Sequence, residues 1–249
     1  MATAQKNEKQ LKTNDVGGMA ITTERPDWVS PDSDRGNENV GINDIVLPRI
    51  DVLQALSPQL KKSDPNFIEG AEQGEIFNTV SGYIYGTQIV IVPIVFRREF
   101  INWRDRKSGG GFCGAFATEG EAEQDRRMQE NCETIETIET HVHFVYIVHP
   151  NGRLEEAVLS MARSKRKISR KLNSLVQMVP GDRYARAYRL TAVEASGPKG
   201  DYWNFEVSPV GYVPKDVYDR AQSVYDSVQR GERGVDRSSD TTPETDATV

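Results

Sequence analysis

The sequence predicts a mainly β fold with added α-helix, flanked by polar termini. Three observations predict it. Apolar or alternating runs of strand length recur through the middle of the chain. Glycine, proline and Asn-Gly signals punctuate them. A single basic amphipathic stretch, SMARSKRKISRKLNSLVQ, separates the third of these runs from the last two.

The 249 residues are polar for a globular chain: 37% are hydrophobic and 27% charged, with a formal net charge of −6. The apolar residues cluster, so a folded middle between disordered ends is expected. Residues 1–40 read as a disordered arm with Trp28 as a docking point, and residues 231–249 as a disordered acidic tail. Two cysteines, Cys113 and Cys132, are too few for a disulfide framework and fit a reducing, cytoplasmic setting. The N-terminus lacks the apolar stretch of a secretory signal, and the longest apolar run, at 89–96, is too short to span a bilayer.

The middle, residues 41–230, opens with Ile50, Leu53, Leu56 and Leu60 at near-helical spacing. A long strand follows over 88–103, apolar on both faces as far as Val95. Basic and aromatic residues then mix, and the glycine-rich finger RKSGGG ends the segment. A short strand covers 112–117. Residues 118–140 read as an acidic insert, with eight acids and two bases between Glu119 and Glu139. In the strand over 141–149, Val142, Phe144, Tyr146 and Val148 share one face. Asn151-Gly152 turns the chain into a return strand over 154–161. After the basic helix, strands over 184–195 and 202–210 form a hairpin around SGPKGD, and a helix over 215–229 closes the domain. A helix between the third and fourth strands of a five- to six-stranded barrel is the OB-fold order, and such barrels bind oligonucleotides.

From Arg163 to Arg189 nine lysines or arginines accompany one acid, Asp182. On a helical wheel Ile168, Leu172, Leu175, Val176 and Val179 form the apolar stripe, with Arg163, Arg166, Lys167 and Arg170 opposite. These bases crowd the helix N-terminus, where the macrodipole disfavours them, and no acid stands at i±4. Such a cluster needs an anionic partner, and nucleic-acid phosphate is the simplest.

Single-strand binding needs cations for phosphates and rings for bases. The expected phosphate contacts are Arg97, Arg98, Arg104, Arg106, Lys107, Arg163, Arg166, Lys167, Arg170 and Arg186. The expected stacking rings are Trp103, Tyr184, Tyr188, Tyr202 and Trp203. Tyr184, Arg186 and Tyr188 are expected to alternate on one exposed strand face. Cys113, Cys132, His141 and His143 form a zinc candidate lacking any C-x-x-C spacing, so no metal or other cofactor is expected. No hydrolase, kinase or dinucleotide motif is present, and no enzyme is expected.

The segments RREFINWRDRK, SKRKISRKLNSL and YARAYRLTAVEASGPKGDYWNFEVSP, with the helix behind them, resemble phage single-stranded DNA-binding proteins of the OB-fold type. The resemblance covers roughly residues 42–230 and implies a protein of phage replication or recombination in the host cytoplasm. It implies single-stranded DNA as ligand and replication or recombination proteins as partners of the acidic tail, with no membrane. A scaffolding protein whose basic helix docks an acidic partner, or a strand-annealing recombinase, are the alternative expectations.

Overall fold

The computed structural model describes residues 15–16, 19–20, 26–30, 35–40, 46–198 and 200–235. The chain forms two compact units, Met1–Gly41 and Ile42–Val249. In the first, β1 (Asp15–Val16) pairs antiparallel with β2 (Met19–Ala20). A turn closes through Val29 N–H to the Pro26 carbonyl, and Trp28 is exposed. Most of the expected arm over 1–40, and the acidic tail from 236 onward, lie outside the described residues.

The second unit is mainly β. Strands β3 (Ile50–Val52), β4 (Ile76–Asn78) and β5 (Ile84–Gly86) make a small antiparallel sheet in that order. The large sheet holds β6 (Gln88–Arg104), β7 (Phe112–Phe116), β8 (Ile135–Val148), β9 (Leu154–Ala162), β10 (Arg186–Gly197) and β11 (Gly200–Tyr212). Its order is β11-β10-β6-β8-β9, and β7 pairs with the far end of β6. The helices are α1 (Glu119–Met128), α2 (Arg166–Gln177) and α3 (Lys215–Gln229). None of the helices among the described residues is long and apolar enough to cross a membrane.

Strand β6 organises the sheet. Its start pairs with β10, its end with β7, and its other side with β8 over most of its length. Pro93 sits inside it because the ladder shifts register between Pro93 and Val95. Proline has no N–H to give a ladder, so a bulge is where a central strand tolerates one. Beyond the bulge Phe96, Arg98 and Phe100 stand opposite His143, His141 and Glu139 on one face.

Both faces of the large sheet are covered. On one, Ile89, Ile91, Val145, Ile147, Leu190 and Phe205 pack against Leu172 of α2 and against Ile50, Val52 and Ile76 of the small sheet. On the other, Val92, Ile94, Val142, Phe144 and Tyr146 meet Ala221, Val224 and Val228 of α3. The expected closed barrel is therefore replaced by a layered arrangement. Closing a small barrel leaves one face inside, whereas here each face has its own apolar cover. Among the described residues no ladder joins β9 to β11, and β9 instead takes a parallel bridge from Arg49 to Val158.

Two further expectations change. The segment from Ile50 to Leu60 is a strand and a 3-10 turn, since Ser57-Pro58 interrupts the helical spacing. The acidic insert is built into the fold. Thr118 and Glu121 make a reciprocal capping box for α1, and the strand already begins at Ile135, with Ile135 and Ile138 buried.

Candidate nucleic-acid interface

Three of the five rings expected to stack on bases are core residues. Trp103 packs edge-on to Phe112, with Ile101 and Ile138 in the same cluster. Tyr188 is 1% exposed, in the cluster under α2. Tyr184 lies in the 3-10 turn Arg183–Ala185, against Tyr218 and Tyr225 of α3. Because β10 starts only at Arg186, the expected Tyr-Arg-Tyr face does not form. Arg186 instead lays its guanidinium over the exposed Tyr212 ring, with 5.1 Å to the centroid. Tyr202 and Trp203 are half-buried in β11. Gln54 clamps the Trp203 backbone, donating to its carbonyl and accepting from its N–H, each at 2.8 Å.

The expected cations divide between structural and exposed groups. Arg97 donates to the Val228 carbonyl near the end of α3 at 2.7 Å, where a helix welcomes a cation. Arg104 ends β6, half-buried. Arg106 and Lys107 lie in the 3-10 turn Arg106–Ser108, where Lys107 is exposed and the Arg106 side chain falls outside the described set. Gly109, Gly110 and Gly111 follow, all at positive φ.

The expected basic helix starts only at Arg166, with Arg163 and Lys165 in the 3-10 turn before it, and for both segments the missing i±4 acids are supplied from other elements. Arg163 pairs with Glu136 at 2.7 Å, and Arg166 pairs with Glu139. Lys171 pairs with Glu206, and Lys165 is buried against Asp51 at 2.5 Å. Lys167 and Arg170 are exposed and make no ion pair among the described residues.

Arg163, Arg166 and Phe100 meet at a cleft of ≈ 360 Å³, together with Glu119 and residues Glu136 to Glu139. The cleft lies beside the stretch of β8 that outruns β9, whose last pair is Ala162 with Thr140. Arg98 places its guanidinium 5.8 Å from the Phe100 ring, and Phe116 stands directly across from Phe100 on β7. Phe100 belongs to the mixed basic and aromatic run of the sequence, but neither it nor Phe116 is among the rings expected to stack. They enter because the β6 bulge turns Arg98 and Phe100 toward the α2 side.

Behind the cleft runs a polar chain whose hydrogen positions follow from its donors. Arg183 donates to His143 Nδ1 at 2.9 Å and to Asn173 Oδ1 at 2.7 Å. The His143 proton therefore sits on Nε2 and goes to Ser169 Oγ at 2.7 Å. Ser169 in turn donates to His141 Nδ1 at 2.7 Å, and His141 Nε2–H donates to Glu139 Oε1 at 3.2 Å. Desolvation holds His143 well below the usual histidine range, with the nearby Arg183 charge adding to it. Burial also lowers His141 and brings the Arg183 guanidinium to about 10. Ser169 is fully buried, so this row binds α2 to β8 and leaves no hydroxyl for a substrate.

The zinc candidate is not assembled. His141 and His143 both spend a ring nitrogen on Ser169, and among the described residues no three His, Cys, Asp or Glu side chains converge as metal ligands.

Residues 16–234 match the family model described as Pam3 phage gp34-like protein, and the chain belongs to that family. No curated protein and no solved structure matches it.

Proposed function

We propose that this phage-family protein binds single-stranded DNA across the cleft and the outer face of α2, acting in replication or recombination rather than as an enzyme. The observation that carries the reading is the cleft itself, where Arg163, Arg166 and the Phe100 ring converge, with the exposed Arg98 against that ring and the exposed Lys167 and Arg170 on the same helix as Arg166. Guanidinia recognise phosphate with two parallel hydrogen bonds, and a ring offers a base a stacking face worth about 1–3 kcal/mol. The Arg163–Glu136 pair is 39% and 61% exposed in its side chains. Pairs that exposed contribute only about 0–1 kcal/mol, so a phosphate can replace the carboxylate. The stacking role expected for Trp103, Tyr184 and Tyr188 passes to Phe100 and Phe116.

A labelled oligonucleotide titrated across a salt series tests the proposal. Binding at low salt should weaken with a slope of about −0.7 per phosphate neutralised. Changing Arg163, Arg166, Lys167 and Arg170 together to Gln should keep the fold and shrink that slope by about three units, one phosphate for each of the four cations. Absence of binding at low salt, or equal binding by the quadruple variant, sinks the proposal.

A further inference from the structure

The cleft is an unusual place for a bare polyanion. Three carboxylates, Glu119, Glu136 and Glu139, line it together with Arg163 and Arg166. Once phosphate takes the guanidinia, the carboxylates face whatever else the ligand brings. A carboxylate only accepts hydrogen bonds, so the remaining polar edge of the ligand must donate them.

Resting on the strand-binding reading, we infer that the cleft seats one unpaired nucleotide and selects a base with an amine edge, guanine first, over thymine. Its ≈ 360 Å³ lies at the lower end for small-ligand sites, enough for a nucleotide and too little for a run of strand. Phe100 supplies the flat apolar wall. Glu119 is the selecting group. Glu136 and Glu139 hold Arg163 and Arg166 until phosphate displaces them, and Glu139 keeps His141, whereas Glu119 makes no ion pair among the described residues and is open to the base before and after phosphate arrives. Its backbone is fixed, because it opens α1 directly after the Thr118 cap, and the residue is exposed.

The base edges then rank themselves. Guanine sets N1–H beside its 2-amino group, a match for the two oxygens of one carboxylate. Adenine and cytosine offer one amine next to an acceptor. Thymine flanks a single N–H with two carbonyls, which repel a carboxylate. Bases taken out of a stack are read on this edge.

The test compares the full chain on a thymine-only strand and on the same strand carrying isolated guanines. The guanine-bearing strand should bind roughly tenfold tighter, the scale of one good base contact. Glu119→Gln should bring that ratio close to one while the thymine strand binds as well as before or better. The capping box stays, so the fold is retained. Glu194→Gln, exposed on β10, controls for net charge and should leave the ratio intact. A wild-type protein that prefers thymine, or a ratio that survives Glu119→Gln, overturns the inference. Failure of both strands to bind is a different result and removes the strand-binding reading instead.

Discussion

Arg163 has φ 46, in the left-handed region, and Asn131 is the one other non-glycine residue there among the described residues. Asparagine visits that region with little penalty, but arginine pays about 1–2 kcal/mol for it. Such strain persists where surrounding structure holds it, and it clusters at ligand sites. At the end of β9 it turns the guanidinium into the cleft beside Glu136. Glycine and alanine at this position separate the two consequences. Arg163→Gly removes the strain and an exposed ion pair, so its stability should stay within about 1 kcal/mol of wild type. Arg163→Ala keeps the strain and should be less stable than the glycine variant by a similar amount. Both should lose strand affinity severalfold. Denaturant midpoints beside anisotropy titrations decide it, and an alanine variant as stable as the glycine one rules out strain.

Helix α2 shows which parts of an element a sequence discloses. Its apolar stripe was legible, because Ile168, Leu172, Leu175 and Val176 do face the core. So was the inward set Val142, Phe144, Tyr146 on β8. Period alone settles such faces. Its charges were not legible in the same way, since Glu136 and Glu139 come from a strand 27 residues earlier. Nor could periodicity find Ser169, a small polar residue whose importance lies in the two histidines it joins. The Ser169→Ala variant would leave His143 Nε2–H and His141 Nδ1 buried without partners, a cost of about 2–4 kcal/mol. The same row makes stability depend on pH. Both histidines are neutral in the fold with lowered pKa values, while an unfolded histidine titrates near 6.5. Their contribution is whole above that value. It is lost as pH falls below it toward the folded values, because the unfolded chain binds protons first, by up to about 1.4 kcal/mol per pH unit for each histidine. Unfolding midpoints between about pH 7.5 and 5 should fall accordingly, and the decline should flatten in His143→Gln. An equally steep decline in that variant would assign it to other groups.

At the scale of the molecule, the sequence announced a β protein but not that the strands of its second unit divide into two sheets. Both apolar faces of β6 were visible, and they fit either a barrel strand or a strand covered from both sides. What decides is where the segment before β6 lands, and that depends on contacts across the chain. One such contact is Gly74. It has φ +83, and a Cβ there would lie 2.8 Å from ring carbons of Trp203. Gly74 N–H also bonds the Leu53 carbonyl, next to the Gln54 that clamps the Trp203 backbone. The joint between the small sheet and β11 thus requires a residue without a side chain at one position and a flat ring at the other. Gly74→Ala combines a disfavoured backbone with a clash against an aromatic ring, so it should destabilise the fold by about 2–3 kcal/mol. Trp203→Leu removes the ring, and in that background the alanine should cost only its backbone term, about 1 kcal/mol. The cleft draws no residue from the small sheet, so strand affinity measured well below the unfolding midpoint should be unchanged in Gly74→Ala. A double-mutant cycle in which the two substitutions simply add would show that the ring is not what excludes a side chain at residue 74, and would place the joint between the sheets elsewhere.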